Sequence, residues 1–227
     1  MNSYDILKFL TVNLTSNSLV DTKNNILSAT GFYATINGIT VIVTAKHFAR
    51  NTDSKVTLTA HYKDGDTVIS LPVTAYANWI ASYEYDIAFC AVTPFEDKVK
   101  EITGHDMFYT TISEKNIMTK KELREINILS EVLTMGYPAD LSSTHHSFPL
   151  FKKGYISSIP RDFEEDGEAY LDLCVNNGMS GAPVILNDSP LKLLGVLIQN
   201  ISDRKNPTSG TTIYVAADKV LEMLKSM

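Results

Sequence analysis

The sequence predicts an all-β protein built from two β-barrels and closed by a C-terminal helix. Three observations carry this prediction. Short β-rich runs separated by Gly, Pro and Asn recur in two halves of the chain, the strand pattern lapses between the halves, and the end of the chain changes to helical spacing. Two β-rich halves joined by a linker favour two barrels over one sandwich.

The first half contains five predicted strands. In the run 55–61 every second residue is apolar, as Val56 and Leu58 show, which is the pattern of an antiparallel strand with one buried face. Asn37 and Gly38 predict a hairpin turn between two runs. The five predicted strands cover residues 31–35, 40–44, 55–61, 67–75 and 86–92.

The middle of the chain, about 94–130, lacks a strand pattern. Thr119 followed by Glu122 is a capping-box signature ahead of Leu123 and Ile126. This signature predicts a short helix within a linker.

The second half resumes the strand pattern and ends in a helix. Asp218 is the predicted N-cap of that helix, in which Val220, Leu221 and Leu224 fall at helical spacing. The predicted strands cover residues 131–135, 150–157, 169–175, 182–186 and 193–199. We expect a single domain over 1–227, with barrels at about 20–95 and 131–213, a linker at about 96–130 and the helix at about 218–227.

Composition narrows the function classes. The 227-residue chain has a net charge of −6, and its Lys and Arg residues are scattered, which argues against a nucleic-acid partner. No apolar run approaches the roughly 18 residues of a membrane-spanning helix, and the N-terminus lacks a secretory pattern. Cys90 and Cys174 lie in apolar strand-like runs, so we expect buried free thiols. These features predict a soluble cytoplasmic protein with no membrane partner.

Three short segments hold residues that can carry chemistry. Residues 178–183 read Gly-Met-Ser-Gly-Ala-Pro between two apolar runs, and the glycines allow a sharp turn that exposes the Ser180 hydroxyl. His47 follows a strand end, and Asp86 opens a buried strand. Acyl transfer needs this combination of nucleophile, base and orienting acid. Taken singly, each has another interpretation: a glycine turn, a surface histidine and a strand-end cap.

In this order, the segments Thr-Ala-Lys-His, Asp-Ile-Ala and Gly-Met-Ser-Gly-Ala-Pro resemble the trypsin-like (chymotrypsin-fold) serine protease family, in its bacterial intracellular form. The resemblance extends over about residues 29–217 and includes Gly31-Phe32, Met135-Gly136-Tyr137-Pro138 and Gly195-Val196. It implies two antiparallel six-stranded β-barrels with a catalytic cleft between them.

The resemblance also implies the roles of the site residues. Ser180 would attack the scissile carbonyl, His47 would move the proton, Asp86 would orient the imidazole, and the Gly178 and Ser180 amides would bind the oxyanion. The partner would be a polypeptide substrate, and this chemistry needs no metal or organic cofactor. The acidic run 161–168 has a spacing that fits no calcium loop, so we interpret it as a solvated hairpin tip.

Substrate binding is where the sequence departs from well-known members of the family. Cys174 stands six residues before Ser180, at the floor of the primary specificity pocket, where tryptic enzymes have Asp. We therefore expect an uncharged side chain in that pocket. The edge formed by Ile198, Gln199 and Asn200 would pair with extended substrate backbone.

Three alternatives use the same fold. The first is a non-catalytic module that holds a peptide, against which the presence of all three triad residues argues. The second is a latent protease that an activating partner protein switches on, marked by a collapsed loop at 176–179. The third is a viral-type protease that processes one polyprotein.

Overall fold

The computed structural model describes residues 6–17, 26–52, 54–139, 147–158, 167–188, 190–203 and 206–226. Strands dominate in both halves of the chain, as the sequence predicts. No helix in these ranges is long and apolar enough to cross a membrane.

The first half forms one eight-stranded sheet. Seven strands follow the order β5-β4-β1-β2-β3-β7-β6, all antiparallel, and β8 pairs with β2 in parallel. The strands are β1 (Thr11–Asn17), β2 (Ile26–Ile36), β3 (Ile39–Ala45), β4 (Lys55–Asp64), β5 (Thr67–Tyr76), β6 (Ile80–Ala81), β7 (Ile87–Ala91) and β8 (Ile112–Ser113).

Local sequence explains the regular part of this sheet. Val56, Leu58 and Ala60 are buried in β4, so the alternation in the sequence faces the core as predicted. Asn37 and Gly38 both have positive φ, 51° and 80°, and they form the predicted hairpin turn between β2 and β3.

The second half forms a closed barrel of six strands in the order β10-β11-β14-β13-β12-β9. Its strands are β9 (Glu131–Gly136), β10 (Leu150–Ile156), β11 (Glu168–Asp172), β12 (Pro183–Leu186), β13 (Lys192–Asp203) and β14 (Asn206–Ala216). The prediction of a six-stranded barrel is confirmed for this half. In the first half it is corrected to a sheet of eight strands, because the polar β1 inserts between β2 and β4 and two short strands join the sheet.

Four α-helices lie wholly within the described residues, together with a short 3-10 helix, Glu114–Asn116. The capping box at Thr119 and Glu122 forms as predicted and begins α3. The terminal helix α4 is also confirmed, although its N-cap is Ala216 and the predicted cap, Asp218, lies buried in the first turn. The helices are α1 (Lys46–Asn51), α2 (Thr93–Thr103), α3 (Lys120–Arg124) and α4 (Ala217–Lys225).

Helix α2 was not predicted. It buries Phe95 and Val99, carries proline in its first turn, and ends at Gly104 with φ 76°. These are ordinary start and stop signals for a helix, but only two buried positions mark its apolar face.

The two halves share a hydrophobic core. A single buried cluster includes Phe32 and Val43 from the first sheet together with Met135, Met179 and Ala182 from the second half. This packing fixes the end of β3 against the turn that precedes β12, and the predicted chemical residues lie at that junction.

Candidate active site

His47 and Asp86 meet because β3 and β7 are neighbours. Ala45 pairs with Ile87 at the end of the two strands, and the Lys46 amide donates to the Asp86 carbonyl oxygen at 3.2 Å. The His47 amide donates to Asp86 Oδ1 at 2.8 Å, and His47 Nδ1 lies 2.7 Å from Asp86 Oδ2. The carboxylate therefore fixes both the backbone and the ring of His47.

The electrostatics favour an ionised Asp86. Burial raises the pKa of this carboxyl, but the hydrogen bonds and charge of His47, together with the charge of Lys46, outweigh burial and lower the pKa. An ionised carboxylate accepts hydrogen bonds and donates none, so His47 Nδ1 is the donor. In the neutral ring, Nε2 then keeps its lone pair and can act as a base.

Ser180 lies on a turn that only glycine permits at two positions. Gly178 and Gly181 have φ of 90° and 89°, which side chains of L-residues rarely adopt. A Cβ at Gly178 would lie 2.5 Å from the Ala139 nitrogen, and one at Gly181 would collide with Thr30 and lie 2.9 Å from the Ala45 nitrogen. The turn is thus packed against the strand end that leads to His47.

Thr30 joins this turn to the first sheet. Its hydroxyl donates to the Gly178 carbonyl oxygen at 2.9 Å and accepts from the Tyr137 amide at 2.9 Å. Its backbone amide donates to the Ser180 carbonyl oxygen at 2.9 Å. Its carbonyl oxygen accepts from the Thr44 hydroxyl at 2.8 Å. Thr30 is fully buried, and it holds the turn from the side of His47.

The amides of Gly178 and Ser180 are available to a ligand. Among the described residues neither donates a hydrogen bond, whereas the amides of Met179, Gly181 and Ala182 all do. The Asn177 carbonyl accepts from the Ala139 amide at 2.7 Å. In a trans peptide the next N–H points the opposite way, so this bond turns the Gly178 N–H away from Ala139.

The Ser180 hydroxyl donates to the Ile198 carbonyl oxygen at 3.1 Å. Within the described part of the chain, no hydrogen bond joins it to His47. Ile198 lies at a bulge in β13, where the pairing with β14 shifts between Leu197 and Gln199. The predicted nucleophile, Ser180, is therefore hydrogen-bonded to the predicted substrate edge and not to the imidazole.

Among the described residues, no strand pairs with the outer side of β13 beyond Val196. Strand β12 pairs with β13 only as far as Val196, while β14 continues along the other side to Ile201 and beyond. Ile198 is buried, Gln199 is exposed, and Asn200 pairs with Thr212.

Cys174 differs from its prediction. Cys90 is buried in β7, as expected, but Cys174 is exposed, because it follows the end of β11 and its neighbours Leu173 and Val175 take the inward positions. Both cysteines are free thiols. Cys174 is therefore exposed in the segment that precedes the turn from Gly178 to Gly181.

Sequence reasoning missed Thr30 and Lys152. The only sequence feature at Thr30 is its position before Gly31, and nothing in the sequence distinguishes Lys152 from the other scattered lysines. In the structure the Lys152 amino group donates to the Cys174 carbonyl oxygen at 2.8 Å and to Asn176 Oδ1 at 2.7 Å. The acidic run at 161–168 lies mostly outside the described residues, so its interpretation stays a prediction.

Fold and site together define a class of protein: a mainly β structure with a barrel, in which a serine lies on a glycine turn packed against the strand that leads to a histidine–aspartate pair. A family model described as trypsin-like peptidase domain matches residues 29–196, well over half of the chain. The chain belongs to the trypsin-like peptidase family. This membership supports a serine peptidase in general. A comparison with curated proteins found no match.

Proposed function

We propose that the protein is a serine endopeptidase that cleaves peptide bonds through an acyl-enzyme on Ser180. The observation that carries the proposal is a turn whose Gly178 and Ser180 amides have no hydrogen-bond acceptor among the described residues. This turn packs against the strand end that precedes His47, whose Nδ1 lies 2.7 Å from Asp86 Oδ2. Gly178 is buried and Ser180 is half-buried. Because backbone N–H groups in such positions are nearly always paired, two amides without a described acceptor in a single turn support a site for an external acceptor.

The chemistry follows from the positions of these groups. The Ser180 hydroxyl leaves the Ile198 carbonyl, gives its proton to His47 Nε2 and attacks the scissile carbonyl carbon. The carbonyl oxygen gains negative charge, which the two amides stabilise. His47 then protonates the leaving amine, and a water molecule activated by the same Nε2 releases the acid from Ser180. Asp86 remains ionised and stabilises the imidazolium throughout.

Substrate backbone would bind along the open edge of β13. An extended peptide can pair as an added strand with the side of Ile198 to Asn200 that no described strand covers. The Ile198 carbonyl would then accept a hydrogen bond from the substrate and lose the one from Ser180. Substrate binding would thus free the nucleophile for His47. The exposed Cys174 is the proposed contact for the side chain next to the scissile bond.

A latent module is the second candidate, because the Ser180 hydroxyl donates to the Ile198 carbonyl oxygen and, among the described residues, forms no hydrogen bond with His47. In that case a partner protein would have to realign the serine. The position of the Asn177 carbonyl argues for the active enzyme, since a collapsed loop would turn this carbonyl toward the site and it is instead held by Ala139.

The test is covalent labelling with a fluorophosphonate probe at about pH 8, read by intact mass. We expect one adduct on the wild type and none on Ser180→Ala, with Ser158→Ala as the matched control that labels normally. His47→Ala should abolish labelling, whereas His105→Ala should not. Asp86→Asn should lower peptide turnover on the order of 10⁴-fold.

Each negative result has a defined meaning. A folded wild type that stays unlabelled even with cell lysate contradicts the enzyme and favours the binding module. Labelling that appears only with lysate selects the latent protease. An adduct that persists on Ser180→Ala would place the nucleophile elsewhere.

A further inference from the structure

Lys152 places a positive charge behind the loop that leads to the Gly178 amide. It lies on β10 and is half-buried, and it shares the inward face of the strand with Gly154 and Ile156. A Cβ at Gly154 would lie 2.5 Å from the Asp172 carbonyl oxygen, so β10 packs closely against the chain that continues to Cys174.

The amino group of Lys152 holds this chain at two points. It donates to the Cys174 carbonyl oxygen and to Asn176 Oδ1, at 2.8 and 2.7 Å. Both acceptors are neutral, and within the described residues Lys152 has no carboxylate partner. Hydrogen bonds from a charged donor are stronger than neutral ones, and although both contacts are exposed to solvent, together they tie the segment to β10 at two points.

The restrained segment has no regular secondary structure of its own. Residues 173–176 belong to no strand or helix, and the chain then turns through Asn177 and Gly178. The Asn176 carbonyl accepts from Met179, and the Asn177 carbonyl accepts from Ala139. Lys152 adds a third restraint on this part of the chain, because it binds the side chain of Asn176.

We infer that Lys152 is a positioning residue that orders the segment 174–178 and thereby aims the Gly178 amide. This inference rests on the proposed function, because an aimed amide matters for catalysis only if the oxyanion forms there. Lys152 does not contact the reacting atoms in this role and acts through Cys174 and Asn176.

The test compares Lys152→Met with Lys153→Met, its exposed neighbour, which binds Glu131. We expect Lys152→Met to lower kcat about 10- to 100-fold with KM nearly unchanged, since misplacing one oxyanion donor is milder than removing it. Lys153→Met should behave as the wild type. Lys152→Arg keeps the donors and should recover most of the activity.

A double-mutant cycle tests the route through Asn176. If Lys152 acts through this side chain, Asn176→Ala should lower kcat in the wild type and have little further effect in Lys152→Met. Equal kcat in Lys152→Met and Lys153→Met, or additive effects in the cycle, would overturn the inference. If a thermal melt shows that Lys152→Met does not fold, Asn176→Ala serves as the test by itself, and the same drop in kcat is expected.

Hydrogen exchange separates this inference from the proposed function. Amides in 173–179 should exchange faster in Lys152→Met than in Lys153→Met, whether or not the protein cleaves peptides. If the wild type cleaves no peptide and Lys152→Met still exchanges faster than Lys153→Met, the proposed peptidase is refuted and the ordering role of Lys152 stands. Unchanged exchange in an active enzyme would refute the role of Lys152 alone.

Discussion

The Thr30 hydroxyl donates a 2.9 Å hydrogen bond to the carbonyl oxygen of Gly178. The two residues are 148 positions apart and lie in different halves of the molecule. Through this bond the sheet that holds His47 also holds the turn that holds Ser180. The relative position of His47 and Ser180 therefore depends in part on Thr30, which was not among the residues predicted to carry chemistry.

Replacing Thr30 with Val should destabilise the protein and slow its reaction. The variant keeps the shape but loses the bond to Gly178 and leaves the Tyr137 amide without its acceptor, which costs about 1–3 kcal/mol for a buried group. Urea unfolding measures the free energy of unfolding, and fluorophosphonate labelling measures the rate at which Ser180 reacts. Thr40→Val, at a partly buried Thr–Thr pair with Thr35, is the control. Equal losses in the two variants would contradict the proposed link between the halves.

Gly181 should tolerate alanine far less well than Gly38. Both have positive φ, 89° and 80°, so each substitution costs about 1–2 kcal/mol of backbone energy. Nothing lies within 4 Å of a Cβ at Gly38, whereas one at Gly181 collides with Thr30 and Thr44. Overpacking adds about 1–3 kcal/mol there. Denaturant unfolding of Gly181→Ala and Gly38→Ala checks the difference, and similar free energies would contradict the packing argument.

His61 should make the protein less stable in acid. Burial, with a contribution from the charge of Lys8, lowers the pKa of His61 to about 4. The ring stacks on Phe148, and its Nδ1 lies 2.8 Å from the Ser70 hydroxyl. The unfolded chain binds this proton near pH 6.5, so stability is complete above 6.5 and falls as pH decreases toward 4.

Protonation of His61 should lower the free energy of unfolding by about 2–3 kcal/mol between pH 7 and pH 4.5. Urea unfolding of the wild type and of His61→Gln at pH 7 and pH 4.5 isolates this contribution. The other titrating groups contribute equally to the stability of both proteins, so their contributions cancel in the comparison. The wild type should lose more stability than the variant over this range. His105→Gln should follow the wild type, and parallel pH profiles for wild type and His61→Gln would contradict the prediction.

The two cysteines should differ in reactivity toward a maleimide. Cys90 is buried, and burial raises the pKa of its thiol, so little thiolate forms. Cys174 is exposed. Native protein should gain one adduct quickly, and Cys174→Ser should gain none until it is unfolded.

A bulky adduct on Cys174 should also stop peptide cleavage if this residue contacts the substrate side chain. Cys174→Ser should remain active and resist the reagent. Full peptide turnover by the labelled protein would place the substrate pocket elsewhere.

Local signals were sufficient for much of the fold and for the choice of chemical residues. Alternation in β4, the Asn37–Gly38 turn and the capping box at Thr119 each depend on neighbours in sequence, and each forms as predicted. The short strands β6 and β8 and the longer strands β1 and β14 were missed. A strand of two residues is too short to show an alternating pattern, and β1 and β14 owe their places to pairing, β1 with β2 and β4, and β14 with β11 and β13.

The sequence by itself determined which residues can do chemistry, because motifs such as Gly178 to Pro183 encode backbone freedom and side-chain type within a few positions. Only the tertiary structure decided how those residues are arranged. It brought Asp86 onto His47 through the pairing of β3 with β7, turned the Ser180 hydroxyl to Ile198 at a bulge, and set Thr30 and Lys152 on the loop around Gly178. Contacts between residues that are far apart in sequence depend on strand order and packing, which no local sequence pattern encodes.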